Sequence, residues 1–121
     1  MIRVPSAGQT VYKILNIGHW RDAVARSAFE GSADDIRDGF IHLSSLHQLQ
    51  GTLAKHFQRQ PDLVLVAFDA SHLGTALKWE VSRGGDTFPH LYAPLETRHA
   101  LWTKSLMLDG EGVPLVPEDI A

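Results

Sequence analysis

Seven histidines and no cysteine define the chemistry available to this 121-residue chain. Imidazole can move protons, bond to phosphate or ligate a metal, whereas the composition rules out disulfides, thiolate nucleophiles and sulfur-based zinc sites. The densest polar motif is Gly39-Phe-Ile-His42-Leu-Ser44. On a strand, residues two apart share a face, so Phe40, His42 and Ser44 point one way and Ile41 and Leu43 the other. The aliphatic pair suits a core, which leaves His42 and Ser44 to a cleft or to solvent. Ser45 follows as a good N-cap, so an imidazole, two hydroxyls and the free N–H groups of a helix start gather in one place. Such a set fits a phosphate or a ribose hydroxyl. The plainer reading is a histidine satisfied by a backbone carbonyl inside a sheet.

Three further clusters carry reactive groups. Lys78-Trp-Glu80 puts a cation and a carboxylate on one face of an extended segment and an aromatic ring on the other. Glu80 could orient a ribose hydroxyl or steady a developing cation; equally, Lys78 and Glu80 could be an exposed ion pair with Trp79 in the core. Arg83-Gly-Gly-Asp86 offers a guanidinium for phosphate, though surface loops collect such residues anyway. Phe88-Pro-His90-Leu-Tyr92 reads either as a pocket wall that stacks on a base or nicotinamide ring, or as a hydrophobic hinge. A metal site shared by His42, His47 and His90 follows no recognised ligand spacing.

Positioning these groups falls to elements read from periodicity. Residues 10–15 are β-branched, aromatic and aliphatic, a first strand ended by Asn16, which can cap a helix. Trp20, Val24 and Ala28, with Ala23 beside them, form the apolar stripe of a helix over about 19–29. Residues 31–39 are polar and bounded by glycines, which predicts a loop before the strand at 40–44. Leu46, Leu49, Leu53 and Phe57 recur at helical spacing after Ser45. The unbroken run Leu63-Val-Leu-Val-Ala-Phe68 predicts a central strand buried on both faces. Extended pieces at 77–80, 88–92 and 99–108 follow, then a turn-rich tail. Two early helices and mostly later strands predict an α+β fold, a mixed sheet with helices to one side.

At this length one domain over residues 1–121, with its core at about 10–108, is the expectation. The 44% hydrophobic and 21% charged fractions are ordinary globular values. A net charge of −3 provides no basic field for a nucleic-acid backbone, although a pocket for one phosphate remains open. No Gly-x-Gly-x-x-Gly, Walker loop, His-Glu-x-x-His or Gly-x-Ser-x-Gly motif is present. The N-terminal residues lack a signal-peptide run, and nowhere do about 18 apolar residues run together, so a cytoplasmic location without membrane insertion is expected.

Val11-Tyr-Lys-Ile, Gly39-Phe-Ile-His-Leu-Ser44, Leu63-Val-Leu-Val, Leu77-Lys-Trp-Glu80 and Phe88-Pro-His-Leu-Tyr-Ala-Pro-Leu95, in this order, resemble a bacterial family known as domain of unknown function 952. That resemblance implies a fold similar to the ADP-ribosyltransferases, a split, strongly curved sheet that grips NAD in a cleft. The Ile-His-Leu-Ser segment also looks like that of RNA 2′-phosphotransferases, which use NAD. By this resemblance His42 would lie in the cleft and Glu80 near the nicotinamide ribose, both in catalytic roles. Tyr12 and Lys13 stand where the superfamily usually carries an arginine or histidine. Ser44, Ser45, Trp79, Arg83, His90 and Tyr92 complete the candidate ligand-binding set. The expected ligand is NAD, as co-substrate, or another ADP-ribose compound, with no metal required. A non-catalytic module that recognises such a nucleotide is the alternative, and a histidine-dependent metal hydrolase a second one.

Overall fold

A computed structural model describes residues 9–120, with the exception of the Arg83 side chain. Among the described residues, eight strands, three α-helices and several 3₁₀ turns make an α+β fold in which every strand ladder is antiparallel. The expected mixed sheet is therefore replaced by three small sheets. The first has the order β1 (Thr10–Asn16), β4 (Leu63–Asp69), β8 (Ala100–Ser105). The second joins β3 (Ile41–His42), β6 (Thr87–Leu91) and β5 (Leu77–Val81). The third pairs β2 (Ala28–Phe29) with β7 (Leu95–Glu96).

The central strand is β4, as its unbroken apolar run requires, with Leu63 to Phe68 all buried. One face packs Val64, Val66 and Phe68 with Val11, Leu15 and the Trp20 and Ala23 side chains of α1 (Ile17–Arg26). The other packs Leu63, Leu65 and Ala67 with Tyr12, Ile14 and the Leu49 and Leu53 side chains of α3 (Leu49–His56). Helices thus cover both faces of this sheet rather than one, because a strand apolar on both sides needs cover on both sides.

Asn16 caps α1 through its side chain, which accepts from the Gly18 N–H at 2.7 Å. The helix ends earlier than its apolar stripe suggests, at Ser27 with φ of 70°, and the chain turns into β2. The glycine-bounded stretch expected to be a loop holds α2 (Ala33–Asp38), a third early helix. Its start is a capping box: Ser32 Oγ accepts from the Asp35 N–H at 3.3 Å, and the Ser32 N–H donates to Asp35 Oδ2 at 2.9 Å. Gly39, with φ of 86°, ends α2 in the left-handed region that glycine enters without cost. The chain passes directly from there to β3.

First and second sheets meet at a single bridge, where Tyr12 and Ser44 exchange backbone hydrogen bonds of 2.8 and 2.9 Å. Tyr12, Lys13, His42, Ser44 and His90, among the groups singled out in the sequence, lie around this junction. No helix among the described residues is long and apolar enough to cross a membrane.

Candidate functional site

A cavity of about 320 Å³ opens beside the junction, walled by Tyr12, Lys13 and Ile14 of β1, by α2, by His42 to Ser44 and by His90. Its polar centre is built around Asp35, which is 2% exposed. Lys13 Nζ donates to both carboxylate oxygens, at 3.2 and 3.0 Å, and to the His42 carbonyl at 3.0 Å. These three bonds occupy all three ammonium protons. Asp35 Oδ1 also accepts from the His42 backbone N–H at 3.0 Å and from His42 Nδ1 at 2.6 Å. One buried carboxylate thus fixes the strand at His42 and the ring of His42 together.

Burial works to raise the Asp35 pKa, but the hydrogen bond from His42, the Lys13 charge and the backbone N–H groups of His42 and Ser32 outweigh it. The carboxyl is held well below the usual carboxylate range, so it remains an anion. Burial likewise lowers the Lys13 ammonium, with Asp35 working against that shift.

The second imidazole face of His42 also meets a carboxylate, with Nε2 2.9 Å from Asp38 Oδ2. Carboxylates only accept, so the two contacts coexist when both ring nitrogens carry a proton. His90 lies directly opposite His42 in the β3–β6 ladder, the ring centroids 5.8 Å apart. Its Nδ1 donates to Glu80 Oε1 at 2.8 Å, and the same oxygen accepts from the Tyr92 hydroxyl at 2.7 Å. The Tyr92 hydroxyl and the His90 imidazole hold the Glu80 carboxyl below its ordinary value, and Glu80 in turn raises the Tyr92 phenol. Phe40 stacks on His90 at 3.9 Å and leans on His42 and Tyr92 at 4.7 and 5.3 Å. Two imidazoles, each with Nδ1 held by a carboxylate, therefore stand side by side around one aromatic ring.

Not every residue marked in the sequence comes to this cavity. Tyr12, Lys13, His42, Ser44 and His90 line it. Glu80 and Tyr92 stand behind His90 rather than in the cavity wall. Trp79 is turned to the opposite face of β5 and packs against the core, so the plainer reading of Lys78-Trp-Glu80 holds for its aromatic ring. Ser45 is buried at the start of the 3₁₀ turn Leu46–Gln48, its N–H on Gln48 Oε1 at 3.0 Å and its hydroxyl 3.1 Å from His47 Nδ1. The Arg83 side chain lies outside the described residues. His47 pairs with Asp86 at 3.5 Å rather than with His42, and among the described residues no three His, Asp or Glu side chains converge as metal ligands would.

Sequence reasoning missed Asp35, Asp38 and Arg37, all on α2. The signal was the capping-box spacing of Ser32 and Asp35, hidden by reading a glycine-bounded acidic stretch as a loop. A second, smaller hollow of about 210 Å³ shares Asp35 with the first and is otherwise lined mainly by Ile36, Phe40, Ile41, Leu91 and Pro94.

The comparisons with known proteins agree with this architecture. The crystal structure of protein CC0527 from Caulobacter crescentus is 52% identical, covers 88% of this chain and 93% of its own, and superimposes with a TM-score of 0.86. The solution NMR structure of the same protein is 52% identical over 87% of this chain and 90% of its own, with a TM-score of 0.79. No curated protein matches. The family model described as "Protein of unknown function (DUF952)" matches residues 14–103, and the chain belongs to that family.

Proposed function

We propose that the chain is an enzyme that takes NAD or a related ADP-ribose compound into the cavity beside α2 and transfers or hydrolyses its ADP-ribosyl group. The observation that carries this reading is the pair of opposed imidazoles, His42 on Asp35 and His90 on Glu80, set around the Phe40 ring. A carboxylate on Nδ1 fixes ring orientation, the arrangement that general acid–base groups and ribose-binding groups share, and a ligand that displaces Asp38 from His42 gains access to its Nε2. Volume supports the reading too, since a main cavity and a smaller hollow that share one wall residue suit a ligand with two ring-bearing halves.

In this mechanism His42 and Ser44 bind ribose hydroxyls and phosphate, and Phe40, on the wall of the smaller hollow, offers the aromatic surface that Trp79 does not. Glu80 accepts two hydrogen bonds on Oε1, while its Oε2 makes none among the described residues. From behind His90, its ionised carboxylate acts through that imidazole to steady an oxocarbenium-like ribose as the bond to nicotinamide breaks. The double use of Oε1 also favours a second reading, a recognition module in which Glu80 only positions His90 and Tyr92.

Release of nicotinamide from NAD, measured alongside thermal unfolding with NAD, ADP-ribose and nicotinamide, decides between them. A ligand at a hundredfold excess over its Kd stabilises the folded state by about 2.7 kcal/mol. Turnover in the parent that falls at least about a hundredfold in Glu80→Gln, with the ligand-induced shift retained, is the enzyme's result. A shift without turnover is the module's, and no shift with any of the three ligands removes both.

A further inference from the structure

Arg37 and His42 surround one anion in this structure, and that anion is the protein's own. Asp38 Oδ1 accepts from Arg37 Nε at 3.0 Å, while Oδ2 accepts from Arg37 Nη2 at 3.3 Å and lies 2.9 Å from His42 Nε2. A guanidinium fork with an imidazole N–H beside it is a donor set matched to phosphate oxygens, for which bidentate arginine contacts give both strength and direction. Both donors lie on the cavity wall, as does Asp38. Lys13, the cavity's other cation, has its protons spent on Asp35 and the His42 carbonyl and has none left for a ligand.

Asp38 is a poorly placed occupant. It is the last residue of α2, at the helix end where the peptide dipoles disfavour negative charge, and its side chain is 34% exposed. Gly39, which follows in the left-handed region, gives that last turn an adaptable neighbour. The carboxylate can rotate away without disturbing Asp35, whose own contacts lie on the buried side.

We infer that Arg37 and His42 form the phosphate subsite of the cavity, with the Asp38 carboxylate as an internal competitor that a phosphate-bearing ligand displaces. This deepens the nucleotide reading and rests on it for the identity of the ligand, though not for the anion site itself. Asp38 then sets a threshold: weak anions fail to enter, and a pyrophosphate that brings more charge and more acceptors succeeds.

Titration of inorganic pyrophosphate and of ADP-ribose at low ionic strength, where exposed charges are least screened, tests this on four single variants and one double variant. Asp38→Asn tightens both ligands at least about fivefold over the parent, and Asp38→Ser does the same without a side-chain amide to take the place of the carboxylate. Arg37→Gln weakens both and abolishes the gain when combined with Asp38→Asn. Asp34→Asn is the control, because Asp34 also pairs with Arg37, at 3.2 Å, but does not touch His42; it removes the same charge and gives a clearly smaller gain. Equal gains from Asp34→Asn and Asp38→Asn, or no gain from Asp38→Asn and Asp38→Ser, would overturn the subsite. Nicotinamide release that persists alongside such a failure leaves the enzymatic reading intact, whereas the expected pattern with pyrophosphate and no response to ADP-ribose upholds the subsite and removes the nucleotide reading.

Discussion

At the scale of single residues, the site depends on a buried lysine that has no proton to offer a ligand. Lys13 holds Asp35 and the His42 carbonyl, and Asp35 holds His42 by backbone and ring, so one buried ion pair fixes both the strand and the imidazole. Deleting one partner of a buried ion pair costs far more than the pair contributes, because the other charge is left uncompensated. Asp35→Asn is accordingly expected to lose about 3 kcal/mol at pH 7, read by denaturant unfolding. The pH dependence has a definite sign. In the unfolded chain Asp35 titrates near the ordinary carboxylate value of about 4, and in the folded protein it titrates lower, so the unfolded state binds the extra proton between the two. Its stabilisation is complete above about pH 5 and drains away as pH falls below 4. The difference between parent and Asp35→Asn should therefore narrow from pH 7 to pH 3; a constant or widening gap would show that the carboxylate's charge is not what stabilises the fold. His42 and His90 could be picked out from the sequence because strand alternation places them. Glu80 could be picked out as well, by the same face-sharing on an extended segment, whereas Asp35 could not once its capping-box spacing with Ser32 was hidden in a glycine-bounded polar stretch that reads as a loop.

Among the elements, strands were easier to read than the short helix. The β1 and β4 runs declare themselves through continuous apolar and β-branched residues, and β3 through the alternation of Ile41 and His42. With six residues, α2 has too few turns to show a stripe, and its one deeply buried residue is a charged one, Asp35. Hydrophobic periodicity cannot find a helix that is anchored by an ion pair. What locates α2 instead is its ends, the Ser32 capping box and the Gly39 exit, and the exit can be tested. Gly39 has open space around it, so an added methyl group meets no neighbour and the cost is purely that of a left-handed backbone with a Cβ. Gly39→Ala should lose about 1 kcal/mol, with Gly39→Asn losing less because asparagine tolerates that region. If the loss in both variants is within error of zero, the left-handed exit does not hold α2 against β3. The same substitution displaces Asp38, which lies next to it, and is for that reason unsuitable as a probe of the anion subsite.

For the molecule as a whole, β4 decides how the parts cooperate. Its alternate residues enter two separate apolar clusters, Val66 and Phe68 with α1 on one side and Leu65 and Ala67 with α3 on the other. The cavity is bounded by β1, which pairs with β4 along its whole length and carries Tyr12 and Lys13 into the site. A strand shared by two clusters cannot keep one of them once it has left the other, because losing the ladder exposes both faces and its backbone groups at once. Leu65→Ala, at a fully buried position, should cost about 2–5 kcal/mol through lost burial and the cavity it leaves. That cost should appear as a lower midpoint in a single transition, seen alike by far-UV circular dichroism and, with Trp79 and Trp102 replaced by phenylalanine, by fluorescence of Trp20, which belongs to the opposite cluster. A tryptophan signal that survives past the loss of secondary structure would mean that the α1 layer stands without the α3 layer.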